Sequence, residues 1–316
     1  SMAWGSIAGN ITNVALLSLM RPDFVLLVPT SKGLGDVFSF GWKSSTNSLV
    51  GELGGSGPDL ILGKTLGFEA VAIFSRAASL NHMVLGKVMD IVHQVFFPAF
   101  AKGIREGKPP AAMYCESMRL ITGITVPLVS VLALIASPLI LFLFGSQWHE
   151  AAALAMFLCL FHLIRAPVDL AGQSLIAGGH IASVLRSQIV VQSVRLGIIS
   201  LSIWLSLHQV IYLLILSNVV EMLVFTRVLN KHYGLSAGRL WSETLISYRV
   251  IPPTVFGPLV LLLLSSLEWY GPPTVVHLGL SCLLAGTGYL LGIRILRHPI
   301  REELIHQIPA LGKLLR

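Results

Sequence analysis

Apolar runs of about 20 residues follow one another along nearly the whole chain, and that is the length a helix needs to cross the hydrocarbon core of a bilayer. They predict helices near residues 3–20, 36–57, 67–101, 111–144, 150–177, 181–204, 208–230, 242–265 and 273–296. Hydrophobic residues make up 54% of the chain and charged residues 12%, whereas soluble domains carry about 25% charged residues. The sequence therefore predicts an all-α polytopic membrane protein with about eight or nine transmembrane helices.

The placement of Lys and Arg predicts the orientation of these helices, because basic residues are enriched in cytoplasmic loops. Alternate connections near residues 58–66, 145–149, 205–207 and 266–272 hold Lys64 alone. The other connections carry Arg21, Lys32, Lys102, Arg105, Lys108, Arg186, Arg227, Lys231, Arg239, Arg294, Arg297, Arg301, Lys313 and Arg316. We expect this second side, including the C-terminus, to face the cytoplasm. The net charge of +7 thus follows membrane topology and does not indicate nucleic-acid binding.

Motifs of soluble enzymes are missing from the sequence. It contains no P-loop, DxD, HExxH or GxSxG pattern, so neither a cofactor nor ATP hydrolysis is expected. Cys115, Cys159 and Cys282 are far apart in apolar segments and read as core residues, not as disulfides or metal ligands. Any transport would draw on an ion gradient, the membrane potential or the substrate gradient.

The helix near residues 36–57 is the most polar of the set. Ser45, Ser48, Glu52 and Asp59 recur at spacings near three and four residues, or a multiple of them, which places them along one helix face. We expect this face to line a cavity that contacts sugar or a coupling ion; the alternative is a helix packed through small residues. The run Gly54–Pro58 is predicted to end or unwind the helix.

Two arginines are candidates for binding an anionic substrate. Arg76 lies too deep in its helix to reach the interface easily, and a guanidinium offers a planar set of donors suited to phosphate oxygens. Its alternative role is an ion pair with Asp59 or Glu52. Arg195 lies mid-helix with no acidic residue three or four positions away. A buried charge of this kind normally faces a partner or a water-filled cavity.

Further polar residues recur on the later helices. Arg165 and Asp169 are spaced for an ion pair at a kink near Pro167, with substrate contact as the alternative. Gln192 and Asn218 are candidates to line a sugar site. Glu221 is expected either to titrate during ion coupling or to neutralise Arg195, and the sequence leaves that choice open.

Several motifs resemble those of polysaccharide exporters. The pattern D-x-x-x-G-x-x-x-G-x-x-x-x-x-x-x-S-R-A begins at Asp59 and ends at Ala77, and it is followed by Phe97-Pro98-Ala99 and by FGSQWHEAA at residues 144–152. In order and spacing these resemble the polysaccharide branch of the multidrug/oligosaccharidyl-lipid/polysaccharide exporter superfamily, the Wzx-type flippases of O-antigen, colanic acid and capsule. The resemblance extends from about residue 36 to residue 296.

The resemblance implies a fold of fourteen helices, arranged as two six-helix lobes and two C-terminal helices around a cationic cavity. On this scheme the chain lacks the first five helices. Residues 1–20 would be the last helix of the first lobe and 21–35 a cytoplasmic linker. Residues 36–230 would form the second six-helix lobe, 231–296 the two C-terminal helices and 297–316 a basic cytoplasmic tail.

The resemblance also implies a substrate and a location. The substrate would be an undecaprenyl-pyrophosphate-linked oligosaccharide, moved across the bacterial inner membrane for synthesis of lipopolysaccharide O-antigen, colanic acid or capsule. Membrane lipid and the polysaccharide polymerase machinery would be its partners. Arg76 and Arg195 would contact the pyrophosphate, while Ser45, Ser48, Gln192 and Asn218 would contact sugar.

Three other interpretations remain. A multidrug or cation/proton antiporter of the same superfamily would have a cavity dominated by acidic and aromatic side chains. A membrane polymerase or ligase would usually carry a large external loop, and the predicted external loops here are short. The third interpretation is a structural bundle that forms only one lobe of a transporter.

Overall fold

A computed structural model of the protein describes residues 2–20, 33–266 and 275–307. Every regular element in these ranges is helical, which confirms the predicted all-α class. The α-helices are α1 (Met2–Met20), α2 (Leu34–Thr65), α3 (Phe68–Asn81), α4 (Lys87–Arg105), α5 (Pro110–Phe144), α6 (His149–Arg165), α7 (Ala171–Ala177), α8 (Ile181–Ser200), α9 (Leu207–Tyr233), α10 (Ala237–Tyr248), α11 (Ile251–Ser266), α12 (Val275–Ile295) and α13 (Ile300–Gln307).

The chain divides into two units, residues 1–42 and residues 43–316. The first unit contains α1 and the first turns of α2, and the second contains the rest of α2 and all later helices. Most of the predicted linker at 21–35, most of the predicted loop at 266–272 and the end of the predicted tail, residues 308–316, lie outside the described residues.

Six helical segments of the described chain are long and apolar enough to cross a bilayer, or seven if the bent pair α10–α11 counts as one span. They are Phe68–Arg105, Pro110–Phe144, Ser146–Ala177, Ile181–Ile203, Leu207–Tyr233 and Val276–Ile295. This number is smaller than the predicted eight or nine, because α1 and α2 are not among these segments. In α2 the charged residues Lys43, Glu52, Asp59 and Lys64 lower it.

The predicted end of α2 at Gly54–Pro58 is wrong, since the helix continues through Pro58 to Thr65. A proline ring inside a helix presses on the carbonyl four residues earlier. Here that residue is Gly54, and the glycines of this turn let the backbone adjust around the ring. The chain reverses at Gly67 instead, where φ is +90°, a conformation that favours glycine. The connection predicted at 58–66 is thus mostly helical.

Two long predicted helices contain breaks. The span near 67–101 has one π-helical turn, His82–Gly86, between α3 and α4. The span near 150–177 has a 3-10 turn, Ala166–Val168, between α6 and α7, where Pro167 interrupts the α-helical hydrogen bonding. The π-helical turn lines the cavity described below, as do the residues that flank the 3-10 turn, Arg165 and Asp169.

The core is built around α5, which is the most buried helix. Its apolar residues Ala136 and Ile140 are fully buried in a cluster with α3, α6 and α9. Tyr114 and Met118, about five or more helical turns away, are buried in a second cluster with α4 and α7–α10. Cys115 and Cys159 are buried as predicted, but Cys282 on α12 is exposed, because its helix has a face that nothing in the described chain covers.

The C-terminal helices pack closely on one another. α10 and α11 are bent by 41° at a short break. Gly288 of α12 lies against the backbone of Pro253 in α11: a Cβ at this glycine would come within 2.1 Å of the Pro253 carbonyl oxygen. Small residues of this kind let membrane helices approach each other at short distance.

Candidate functional site

A cavity of about 510 Å³ lies within the second unit, among α2, α3, α4, α6, α8 and α9. Its volume is within the range of about 300–1,000 Å³ usual for ligand sites. Apolar side chains such as Phe74 and Phe161 form part of its wall. The polar part of the wall consists of Asp59, Ser75, Asn81, His82, His93, His162, Arg165, Asp169, Arg195, Ser217 and Asn218.

Four charged residues form an ion-pair network at this cavity. Arg165 Nε lies 2.9 Å from Asp169 Oδ1, and Arg165 Nη2 lies 3.4 Å from Glu221 Oε1. The second carboxylate oxygen of Glu221, Oε2, lies 3.5 Å from Arg195 Nη2. Glu221 therefore joins α6 and α8 from α9. Its side chain is 8% exposed, so it is held away from water between two cations.

The 3-10 break after α6 positions the first half of the network. Because Pro167 has no N–H, the carbonyl of Leu163, four residues earlier, loses its helical donor. The hydroxyl of Tyr248 on α10 donates to that carbonyl instead. The hydroxyl of Tyr114 on α5 donates to the Pro167 carbonyl at 2.9 Å. Two tyrosines thus stabilise the break that brings Arg165 and Asp169 to the cavity wall.

Three histidines, which the sequence reasoning missed, also line the cavity: His82, His93 and His162. Within the described part of the chain none of them has a hydrogen-bond partner, and Nε2 of His93 is buried. His82 and His93 are eleven residues apart, about three helical turns. That spacing was a signal from which their shared face could have been predicted. The cavity therefore holds titratable groups beyond the predicted acids.

Two further polar residues of α9 lie at the cavity and are bonded locally. Asn218 Nδ2 donates to the carbonyl of Leu214 at 2.9 Å, and the Ser217 hydroxyl donates to the same carbonyl at 2.8 Å. The amide oxygen of Asn218 remains available to a ligand. Asn81 of α3 differs from both, since no hydrogen-bond partner exists for its side chain in the described residues.

The structure does not place Arg76 among the residues lining the cavity. Its guanidinium lies 4.1 Å from the ring centroid of Phe144 and 4.8 Å from that of Trp148, where α5 ends and α6 begins. No acidic side chain of the described residues pairs with it. Asp59, one of its two expected partners, accepts a hydrogen bond of 3.1 Å from Ser75. Arg76 therefore contacts two aromatic rings and not an acidic side chain of the described residues.

The remaining predicted residues of α2 are not brought to the cavity, apart from Asp59. Ser45 and Ser48 are exposed, and Glu52 accepts a 2.6 Å hydrogen bond from Ser56 on its own helix. These residues lie away from the cavity because another side of α2 packs on α8, where Gly54 lies against Gln192. This contact turns the serine face away from the cavity.

Gln192 itself lies just outside the cavity lining. Its Nε2 donates to Gln188 Oε1 at 3.1 Å, while its Oε1 is buried without a partner in the described residues. A Cβ on Gly54 would come within 2.0 Å of that oxygen. Gln192 therefore packs between α2 and α8 instead of lining the cavity.

The fixed charges at the cavity do not make it cationic. Arg165 and Arg195 are balanced by Asp59 and Asp169, and Glu221 adds a third carboxylate. A cationic cavity, which the exporter resemblance implies, would require at least two added protons, for example on two of the three histidines. No group of three or more metal-binding side chains occurs in the described residues.

Two comparisons with known proteins match this chain to proteins of polysaccharide biosynthesis. Residues 1–153 match the family described as "Polysaccharide biosynthesis protein". The chain is also 27% identical over 148 residues to the teichuronic acid biosynthesis protein TuaB of Bacillus subtilis strain 168. That alignment covers 47% of this chain and 31% of the relative, so the chain spans about a third of the relative's length. No solved structure matches the chain.

Proposed function

From these comparisons, which support a polysaccharide flippase-type family, we propose that the chain takes part in moving a lipid-linked oligosaccharide across the bacterial plasma membrane. The substrate would be an oligosaccharide on a polyprenyl pyrophosphate, used to build a surface polysaccharide such as O-antigen, colanic acid or capsule. One observation carries the proposal: a polar cavity with two arginines, bridged by Glu221, among apolar helices long enough to cross a bilayer.

The two arginines suit the anionic part of such a substrate. Guanidinium groups form paired hydrogen bonds with phosphate oxygens. In this conformation Arg195 and Arg165 are both engaged by Glu221, so a pyrophosphate must compete with that carboxylate for them. Protonation of Glu221 would remove the competitor. Glu221 would thereby couple proton binding to substrate binding, which is one of the two roles expected from the sequence.

The rest of the substrate fits the surroundings of the cavity. Amide and hydroxyl groups, including Asn218, offer hydrogen bonds to sugar hydroxyls, and the polyprenyl chain can remain in lipid. With the basic loops in the cytoplasm, the sugar would be loaded there and released on the outer face, where a polymerase would use it. Rocking of helices around the site would expose it to each side in turn. No ATP hydrolysis or cofactor is part of this proposal.

One observation favours a second candidate, a multidrug or cation/proton antiporter. The carboxylates of Asp59 and Asp169, which line the cavity, and of Glu221, which pairs with its arginines, outnumber the two arginines when the histidines are neutral. Such a cavity would attract an organic cation. Proteoliposomes that exchange ethidium for protons, with no movement of lipid-linked saccharide, would select this candidate.

Complementation tests the flippase proposal. A bacterial strain that lacks its oligosaccharide flippase and therefore its surface polymer would receive the full natural reading frame containing this chain, carrying Arg195→Ala or no change. We expect the unchanged protein to restore polymer and Arg195→Ala to lower it at least tenfold, because one of the two phosphate partners is lost. Arg186→Ala is the matched control, since Arg186 is an exposed residue of the same helix. Normal polymer with Arg195→Ala at equal membrane expression would exclude Arg195 from substrate binding.

A further inference from the structure

A second group of polar residues at the cavity is separate from the ion-pair network. Asn81 ends α3, and His82 begins the π-helical turn that follows it. His93 lies about three helical turns further along, on α4. All three line the cavity from helices other than those that carry Arg165 and Arg195.

Among these three residues, Asn81 has the side chain that is both buried and without a hydrogen-bond partner in the described residues. Its side chain lies at the cavity, is 8% exposed, and its Oδ1 has no hydrogen-bond partner in the described residues. A buried amide without partners is unfavourable, and buried polar groups in folded proteins are nearly always bonded. The bonded neighbour Asn218 shows the usual arrangement, because its Nδ2 reaches a backbone carbonyl. The side chain of Asn81 thus lies in the cavity wall with bonding capacity that no described residue uses, and its Oδ1 is enclosed by protein atoms.

Two further features lie near Asn81 in the cavity wall: a second polar side chain without a partner, and an irregular helical turn. His93 Nε2 is buried without a partner in the described chain. The turn His82–Gly86 is π-helical, and isolated π-helical turns occur frequently at functional sites. The charged network, by contrast, satisfies itself through Glu221. The wall formed by Asn81, His82 and His93 thus contains two buried polar atoms, Asn81 Oδ1 and His93 Nε2, that have no partner among the described residues.

We propose that Asn81, with His82 and His93, forms a saccharide subsite that binds hydroxyl groups of the first sugars of the translocated oligosaccharide. An amide and a neutral imidazole each offer both a donor and an acceptor, which matches a sugar hydroxyl. The aromatic rings of Phe74 and Phe161 in the same cavity offer flat apolar surfaces for the C–H face of a pyranose ring. This inference rests on the proposed function and divides its site into an anion-binding half and a saccharide-binding half.

A pair of binding measurements tests the subsite on the full natural protein in lipid nanodiscs. The probes are undecaprenyl pyrophosphate and undecaprenyl-pyrophosphoryl N-acetylglucosamine, which differ by the sugar alone. We expect the unchanged protein to bind the sugar-bearing probe about five- to tenfold more tightly, the size of one or two hydrogen bonds. Asn81→Leu should abolish this preference while leaving the affinity for undecaprenyl pyrophosphate within twofold.

Two further variants distinguish a loss of sugar binding from misfolding of the protein. Asn81→Gln keeps the amide and should keep part of the preference. Ser130→Ala removes a buried helical hydroxyl of α5 that bonds within its own helix and does not line the cavity, so it should bind both probes normally.

The outcomes separate the subsite from the proposed function. If the unchanged protein binds both probes equally, or Asn81→Leu retains the preference, the saccharide subsite is wrong while the anion site stands. If the unchanged protein binds neither probe, the proposed function is wrong and the subsite with it.

Discussion

Glu221 Oε1 lies 3.4 Å from Arg165 Nη2, although the two residues belong to different helices, α9 and α6. Both side chains are largely withdrawn from water, with 8% and 27% exposed. Removing one partner of a buried ion pair leaves an uncompensated charge, which costs about 3–5 kcal/mol. This contact is therefore expected to contribute to stability as well as to the proposed coupling.

Glu221→Ala should accordingly lower the thermal unfolding temperature of the detergent-solubilised protein by several degrees, because two cations lose their shared partner. Glu221→Gln should lower it less, since the amide oxygen still accepts a hydrogen bond. Glu106→Ala is the control: this carboxylate pairs with Lys102 and Lys108 at the surface, where ion pairs contribute about 0–1 kcal/mol. Equal unfolding temperatures for Glu221→Ala and Glu106→Ala would contradict a stabilising network.

Arg76 is expected to stabilise the protein through its contacts with the rings of Trp148 and Phe144. A guanidinium over an aromatic face contributes about 0.5–2 kcal/mol when it is partly withdrawn from water. In a double-mutant cycle, Arg76→Met and Trp148→Leu should each destabilise the protein, and the two losses should not add. Strictly additive changes in the free energy of unfolding would mean that the ring contact contributes nothing.

The stability of the C-terminal helices should depend on pH through His298, which lies between α12 and α13. Ile300 N donates to its Nδ1 at 3.2 Å, so Nε2 carries the proton and donates to Ser247 Oγ at 3.1 Å. The Ser247 hydroxyl lies 2.8 Å from Thr122 Oγ1 on α5. Burial, with the nearby charge of Arg119, lowers the pKa of His298 from 6.5 to about 4.

The sign of the effect follows from proton uptake. Between pH 6.5 and about 4 the unfolded state binds this proton and the folded state does not. Stability is therefore fully present above pH 6.5 and decreases as the pH falls toward 4. Unfolding temperatures measured from pH 4.5 to 7.5 should decrease toward acid, and His298→Gln should reduce that slope. A slope unchanged by the substitution would assign the pH dependence to other groups.

Two glycines of one helix provide a matched test of the α11–α12 contact. A Cβ on Gly288 would come within 2.1 Å of the Pro253 carbonyl oxygen, whereas no atom of the described residues lies within 4 Å of a Cβ on Gly286. Gly288→Ala should destabilise the protein by about 1–3 kcal/mol because backbone atoms must move. Gly286→Ala should be neutral or stabilising by up to about 1 kcal/mol, the helix propensity difference. Thermal unfolding of the two variants side by side tests the contact, and equal temperatures would contradict it.

Local sequence patterns predicted many of the helices. The apolar runs predict the helices α5, α8, α9 and α12 to within a few residues, because a helix in lipid must satisfy its backbone internally and present apolar side chains outward. The i,i+4 spacing of Arg165 and Asp169 similarly placed two charges on one helix face, next to a proline that the structure finds in a 3-10 break.

The arrangement of the candidate site was decided by contacts between distant parts of the chain. Helical periodicity places Arg195 and Glu221 on their own helices but contains no information on which helices become neighbours. The same limit explains Arg76, whose aromatic neighbour Trp148 is far along the sequence. It also explains the serines of α2, because the side of that helix that faces inward depends on where Gly54 meets Gln192.

The sequence by itself therefore determined the membrane class, the helical segments, the local Arg165–Asp169 spacing and the resemblance to polysaccharide exporters. Only the tertiary structure decided that Glu221 joins two arginines, that Arg76 lies on aromatic rings and that Asn81 Oδ1 has no partner among the described residues. Hydrophobicity and helical period act over a few turns of one chain segment, whereas charge pairing and packing depend on helix neighbours that no local pattern specifies.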